Sequence, residues 1–302
     1  MQINPSNLAL IYQSVSLEFQ KGLTNAEPFW NKLATEIPSS TRENIYGFVA
    51  KIPRMREWVG ARVVNNLKGH SYSLINKDFE LTIGIDRNDI EDDQLGMYAA
   101  YSQMLGQQAA KLPDDLLAAV LQNTSDKCFD GKAFFATDHE VAPGDPGLST
   151  DTYSNSFTKA LTGPNFNDVY AAMSAYKGMD GDPLGIMPTL LVVPPQLRAA
   201  AYEIAKAQLV PSGTAAVSNI NFQLVDVLIV PQLANQPTTW YLLDTSKPIK
   251  PFLMQTRKAA SLVARDNPAD PSVFDKKEFL FGVDSRMAAG YTLPFLAAKS
   301  VD

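Results

Sequence analysis

Apolar positions along the chain change period several times, and each change marks an element. Leu8, Ile11, Val15 and Phe19 recur at helical spacing. This predicts a helix within residues 4–32, before Pro28 and Pro38 interrupt the chain. Such an arm has little of its own to pack against, so it should lie over the body or reach a neighbouring molecule. From Phe79 to Asp86 the period drops to two: Phe79, Leu81, Ile83 and Ile85 alternate with Glu80, Thr82, Gly84 and Asp86. Turn-forming Asn76-Lys77-Asp78 precedes this run, and residues 61–86 read as an antiparallel ribbon. The helical period then returns with Leu95, Tyr98, Ser102, Leu105, Ala109 and Leu112 on one face. Pro113 is expected to stop or kink that helix. Asp114 and Asp115 would open a second short helix carrying Leu116, Leu117, Val120 and Leu121, since carboxylates in a first turn complement the helix dipole.

Residues 125–162 are rich in Gly, Pro, Asp, Ser and Thr and read as loop, with a small hairpin at residues 132–137. Phe166, Val169, Tyr170 and Met173 predict a helix, and TLLVV at 189–193 a buried strand. Pro194-Pro195 leads into a helix over QLRAAAYEIAKAQL, where proline suits the first turn. Residues 209–220 are small and polar and read as a mobile loop. Strands are expected at 222–230, 240–244 and 249–256, and long extended segments at 278–298. The fold class is α+β, not a doubly wound sheet. An isolated two-stranded ribbon is marginal in water, so the ribbon needs a partner surface.

Composition narrows the function. The 302 residues are 45% hydrophobic and 19% charged, which suits a folded body of one or two domains. The net charge is -6, and no block of Lys and Arg suited to gripping phosphates stands out, which argues against specific nucleic-acid recognition. Cys128 is the single cysteine, so no intrachain disulfide forms and a reducing compartment is expected. The first residues lack the pattern of a signal peptide, and no apolar run approaches membrane-spanning length. The expectation is a cytosolic product with no membrane partner.

Candidate chemistry is sparse. DRNDIEDD, residues 86–93, holds five carboxylates and one arginine. It straddles a strand-to-helix junction, lacks the EF-hand arrangement, and is expected to be structural or interfacial rather than a metal site. Cys128 and His139 in CFDGKAFFATDHE are the material for a thiol–imidazole pair. No third orienting group can be identified, so a buried thiol and a satisfied loop histidine are expected. GMDGDPLG at 178–185 matches no phosphate-loop spacing and reads as a turn. No catalytic, cofactor or metal residues are assigned. Residues 42–68 carry six basic residues against two acidic ones. Trp58 among them would suit base stacking, but a ribbon facing an acidic surface is preferred.

Four longer stretches carry a resemblance: EIPSST (36–41), REWVGARVVNNL (56–67), NKDFELTIGIDRNDIEDDQLGMY (76–98) and CFDGKAFFATDH (128–139). In sequence, order and spacing they resemble the major head subunit of Mu-like phages and prophages, and the resemblance covers nearly the whole chain. It implies a Hong Kong 97-type capsid fold: an N-terminal arm at 1–41, an extended β-ribbon loop at 42–90, and an axial domain at 165–256. A peripheral domain at 91–164 and 257–302 would include a long spine helix from Glu91 to Leu112. It also implies a structural subunit without catalysis or cofactor, assembling through hexamers and pentamers into an icosahedral head around double-stranded DNA. A scaffolding protein, a maturation protease and a portal would attend assembly. The location would be the virion, and the host cytoplasm beforehand. By hypothesis Arg54, Arg56 and Arg62 of one copy meet Glu91, Asp92 and Asp93 of the next. The alternatives are an encapsulin-like cargo compartment and, third, a metal-dependent hydrolase built on the acidic run.

Overall fold

The helical period at the N-terminus folds as α1 (Pro5–Asn25), followed by the single turn α2 (Trp30–Leu33). Our structure, a computed structural model, describes residues 5–49, 69–86, 88, 95–141, 151–178, 181–212, 215–265 and 276–302. Strands β1 (Ala34–Pro38), β2 (Glu43–Val49), β3 (Gly69–Ile75) and β4 (Lys77–Asp86) come next. The long helix α3 (Leu95–Gln122) precedes short strands β5 (His139–Glu140), β6 (Thr152–Tyr153) and β7 (Ser156–Phe157). Helix α4 (Gly163–Ser174), strand β8 (Leu190–Val193) and helix α5 (Arg198–Ala205) lead to a hairpin of β9 (Leu209–Ser212) and β10 (Ala215–Ser218). The chain ends with β11 (Asp226–Ile229), β12 (Trp240–Leu243), β13 (Phe252–Arg265), β14 (Glu278–Tyr291) and β15 (Ala297–Ser300).

Two sheets organise these elements. The inner sheet has order β11-β8-β12-β15-β7. Its strands β8 and β12 are buried along their whole length. Leu191, Val193, Trp240 and Leu242 point into one cluster, with Phe166, Val169 and Met173 of α4 and Ala201 and Ile204 of α5. Leu190, Val192, Tyr241 and Leu243 point the other way, against Leu117 and Leu121 of α3, Phe134 and Phe252. Continuous apolar runs are what burial on both faces requires. Each such side chain contributes about 1.5–3 kcal/mol.

The outer sheet has order β1-β13-β14-β4. One face is covered by α1 and α3, through Ile11 and Val15 on Ile85, Phe279 and Phe281, and through Phe19 and Leu105 on Val283. The two helices cross at glycines. A Cβ on Gly22 would sit 2.1 Å from the Gln103 carbonyl oxygen, and one on Gly106 would sit 2.2 Å from that of Phe19. Only glycine allows this backbone approach.

Several expectations are corrected. The alternating strand at 77–86 does not form the second arm of the ribbon. It pairs with β14 in the outer sheet, and the ribbon is β2 on β3, from Glu43↔Ile75 to Val49↔Gly69. Pro113 neither stops nor divides the helix, which runs through it for 28 residues. Buried contacts on both sides, at Leu105 and at Leu117, Ala118 and Leu121, override the local cost. Asp114 caps a different helix: its Oδ1 accepts the N–H groups of Phe29 (3.0 Å) and Trp30 (2.8 Å). Finally, Leu209–Ser212 and Ala215–Ser218, expected as loop, pair as the antiparallel strands β9 and β10. The small hairpin of the Cys128 region closes at Lys127↔Ala133, around Gly131 at φ +78°, not at 132–137.

Candidate functional site

The densest chemistry lies beneath that Gly131 turn. Cys128 Sγ donates to Asp130 Oδ1 at 2.8 Å, and His139 Nδ1 lies 2.6 Å from Asp130 Oδ2. His139 Nε2 lies 3.1 Å from the Phe134 carbonyl oxygen, which also accepts from Asn155 Nδ2 at 2.8 Å. Asn155 Nδ2 donates onward to the Pro294 carbonyl at 3.0 Å. Both imidazole nitrogens therefore face acceptors. A doubly protonated ring satisfies both contacts, and either neutral tautomer satisfies only one. Burial works against the Asp130 carboxylate, but hydrogen bonds from His139, Cys128 and the Lys132 N–H hold its pKa below the usual carboxylate range. Burial, reinforced by Asp130, pushes the Cys128 thiol well above its ordinary value, so it remains a donor.

Possible ligand atoms of Cys128, Asp130 and His139 all lie within 4.8 Å of one another, which among the described residues makes these three the candidate cation site. Each is already engaged by the others, and Cys128 and His139 are buried. A thiol held protonated is a poor ligand. The arrangement pins residues 128–139 to the end of the inner sheet; it has neither an activated nucleophile nor an open coordination position.

The base of the ribbon is a second polar cluster. Asn76 is buried and is the single residue between β3 and β4. Its Nδ2 donates to Ser39 Oγ at 3.0 Å and to the Thr41 carbonyl at 2.9 Å, and its N–H donates to the Arg42 carbonyl at 3.0 Å. Ser39 and Thr41 hydroxyls donate to Asn44 Oδ1 at 2.9 and 2.6 Å. Tyr46 donates to Gln255 Oε1 at 2.5 Å, and Tyr72 lies over Gly290, where a Cβ would meet its hydroxyl at 2.9 Å. These contacts fix the foot of the ribbon to β13 and β14. Ile45 and Ile75 remain exposed on its other face.

Two further surfaces face outward. On the β9–β10 hairpin and the turn after it, Leu209, Val217 and Ile220 are exposed, Ile220 at 83%. Asn219 Nδ2 ties this hairpin to the end of α5 through the carbonyls of Ile204 and Ala207, both at 2.8 Å. A groove of about 560 Å³ runs between the hairpin and the start of α4. The other surface is β4. Among the described residues its only strand partner is β14, and its outer edge is open. The β4–β14 ladder runs from Lys77↔Met287 to Asp86↔Glu278 with no register shift, whereas the β13–β14 ladder shifts twice. Acids face each other across it at Glu80↔Asp284 and Asp86↔Glu278. Asp284 has Lys258 as partner and Asp78 has Arg286. Glu80, Asp86 and Glu278 have no cationic partner among the described residues.

The assigned contact residues Arg54, Arg56, Arg62, Glu91, Asp92 and Asp93 lie outside the described residues. Of the acidic run, Asp86 ends β4, and its Oδ1 accepts the Asn88 N–H at 2.7 Å. Sequence reasoning missed the Asp130–His139 pairing and the Asn76 corner. Asn76-Lys77-Asp78 did signal a turn, but nothing local tells which strands that turn joins. Among the described residues no helix is long and apolar enough to cross a membrane.

Comparison with known proteins covers nearly the whole chain. A family model described as the Mu-like prophage major head subunit gpT matches residues 8–160, 155–233 and 231–302. The major capsid protein of Escherichia phage Mu is 32% identical over 292 residues, spanning 96% of this chain and 72% of that protein. The Mu-like prophage FluMu major head subunit of Haemophilus influenzae is 26% identical over 290 residues, spanning 96% of this chain and 71% of that one. Among solved structures, a chain of the procapsid of bacteriophage JBD30 superposes with a TM-score of 0.65 at 29% identity, covering 99% of this chain and 76% of that one.

Proposed function

The chain belongs to the Mu-like prophage major head subunit family, and we propose that it is the repeating subunit of an icosahedral phage head, a structural protein and not an enzyme. The observation that carries this reading is similarity over almost the full length, in sequence and in fold, to proteins that form phage heads. Exposed apolar side chains on the ribbon and on the β9–β10 hairpin suit a subunit that completes its surface with copies of itself.

In this reading residues 1–41 are the N-terminal arm, 42–90 the extended loop, 91–164 and 257–302 the peripheral domain, and 165–256 the axial domain. Copies associate as hexamers and pentamers. The product resides in the virion, and in the host cytoplasm before assembly. A scaffolding protein, a maturation protease and a portal act with it, and the shell encloses double-stranded DNA without reading its sequence. An acidic wall suits that task, because a wall that gripped phosphates would oppose packaging. Arg54, Arg56 and Arg62 of one copy meet Glu91, Asp92 and Asp93 of the next. Each exposed pair contributes only about 0–1 kcal/mol, and repetition over the shell makes the sum decisive while single contacts stay reversible.

The test is electron microscopy with sedimentation velocity on overexpressed protein, alone and with its scaffold co-expressed. Closed shells, tubes, or rings of five or six support the reading. A chain that stays monomeric under both conditions overturns it. Within the shell, Arg54→Glu with Arg56→Glu should lower particle yield while leaving subunit stability unchanged; undiminished yield would remove the charge-docking contact.

A further inference from the structure

We propose that Lys299 is the receptor for a carboxylate carried by a second copy of this chain. The inference rests on the shell reading and names one cation that the subunit holds ready for a neighbour.

The lysine is out of place in its strand. β15 lies between β12 and β7 in the inner sheet, with Lys299 opposite Tyr241 on one side and Ser156 on the other. Its neighbours Ala297, Ala298 and Ser300 are small and buried, and Lys299 itself is only 7% exposed. Its Nζ lies 5.9 Å from the centre of the Phe135 ring and 6.0 Å from that of Tyr241, at the outer limit of a cation–π contact. Among the described residues it has no hydrogen-bond acceptor and no carboxylate partner. The Tyr241 hydroxyl is taken, 2.9 Å from the Leu121 carbonyl oxygen and 3.1 Å from Gln236 Oε1. Burial lowers the pKa of the amine, and no nearby charge offsets it. A buried ammonium without a counter-ion is costly, and an apolar side chain of similar volume would serve the fold as well or better. Nothing within one subunit accounts for this lysine.

The chemistry of the site selects the ligand. A single ammonium between two rings suits one carboxylate. A phosphate grip needs several cations, and those on the adjoining segments are spent: Lys132 pairs with Asp138 and Lys159 with Asp168. Phe135, one wall of the site, is only partly buried, so the amine lies close to the surface. A second copy approaching it presents mostly acids, since the chain carries 32 Asp and Glu against 26 Lys and Arg. Glu80, Asp86 and Glu278 in particular lack a cation among the described residues. Screened from water by the rings, an ion pair here is stronger than one on the open surface. It rewards association without altering the fold of the subunit.

The test uses full-length protein. Particles assembled from a mixture of ordinary and heavy-isotope chains are treated with a water-soluble carbodiimide, which joins an amine to a carboxylate in contact with it by removing water. Mass spectrometry should find Lys299 in an amide cross-link to an Asp or Glu, with ordinary and heavy peptides joined to each other. Well-formed particles in which Lys299 is not cross-linked, is joined only within one chain, or is joined to another protein overturn this inference and leave the shell reading standing. Failure of the wild-type chain to form particles, alone or with its scaffold, overturns both. In a second arm, Lys299→Met should leave the urea midpoint of the dissociated subunit at or above the wild-type value and lower particle yield about tenfold. Undiminished yield overturns the inference. If the variant does not fold, the cross-link on the wild-type chain decides.

Discussion

The two sheets are treated in opposite ways. The inner sheet has apolar side chains on both faces, helices and loops over both, and end strands of four and two residues, β11 and β7. The outer sheet is covered on both faces where the ribbon's foot lies over Gln255 and Gly290, but beyond that foot α1 and α3 cover one face, and the sheet ends in the open ten-residue strand β4. Val263 on its uncovered face is half exposed. The inner sheet satisfies itself within one chain. The outer sheet holds its shape on one side and leaves the other side and an edge for whatever lies outside. Stability and association are thus assigned to different parts of one polypeptide.

Matched truncations would break the comparison most directly. Trp240→Ala, in the inner sheet, should cost about 3–5 kcal/mol in chemical denaturation. Val263→Ala, in the outer sheet, should stay within about 0.5 kcal/mol. Similar losses at the two positions would show that the sheets share the load.

The buried polar network should give the next largest effect. Asp130→Asn should cost about 1.5–3 kcal/mol at neutral pH. Because the Asp130 pKa is depressed on folding, its contribution is present above the unfolded carboxylate pKa and is lost as pH falls through the folded one. Wild type and variant should therefore converge in stability in acid, below about pH 4, as read by unfolding curves across pH. A gap that persists at low pH would mean that the charge is irrelevant.

Gly22→Val probes the outer layer alone. Its Cβ would collide with the Gln103 carbonyl, so α1 should lift from α3 at a cost of about 1–3 kcal/mol. Amide exchange should rise in α1 while the inner sheet stays protected.

Two smaller changes sharpen the contrast. Burial raises the Asp114 pKa despite its two backbone hydrogen bonds, so the charged form is less stable folded than unfolded once pH exceeds the usual carboxylate range. Asp114→Asn keeps an acceptor for Phe29 and Trp30 and removes the charge, so stability should change by less than about 1 kcal/mol. Leu81→Lys, at the exposed middle of β4, should change subunit stability by less than about 0.5 kcal/mol in chemical denaturation.

What the sequence made legible follows the same division. Periodicity located α1, α4, β8, β12 and the alternation of β4, because these elements bury a regular stripe or face. It misassigned what depends on partners distant in the chain. The alternation of Phe79, Leu81, Ile83 and Ile85 is equally good for a ribbon arm and for a sheet edge, and only the pairing with β14 decides. Pro113 is a strong local breaker, overruled by packing at Leu105 and Leu117 that no local window contains. The sequence offers Cys128 and His139 as a pair but gives no sign of Asp130 between them, since a tight turn brings it inward.

The corner at Asn76 has a mechanical consequence. A single residue joins β3 to β4, whereas residues 39–42 separate β1 from β2. One side of the ribbon is therefore joined through a single buried residue, and the other through four residues that Asn76 itself holds by hydrogen bonds to Ser39, Thr41 and Arg42. A rotation of the ribbon at this corner turns β4 with it, and the unbroken ladder carries the turn to β14. The ribbon works as a crank on the sheet edge, so its tilt and the twist of the outer sheet are set together.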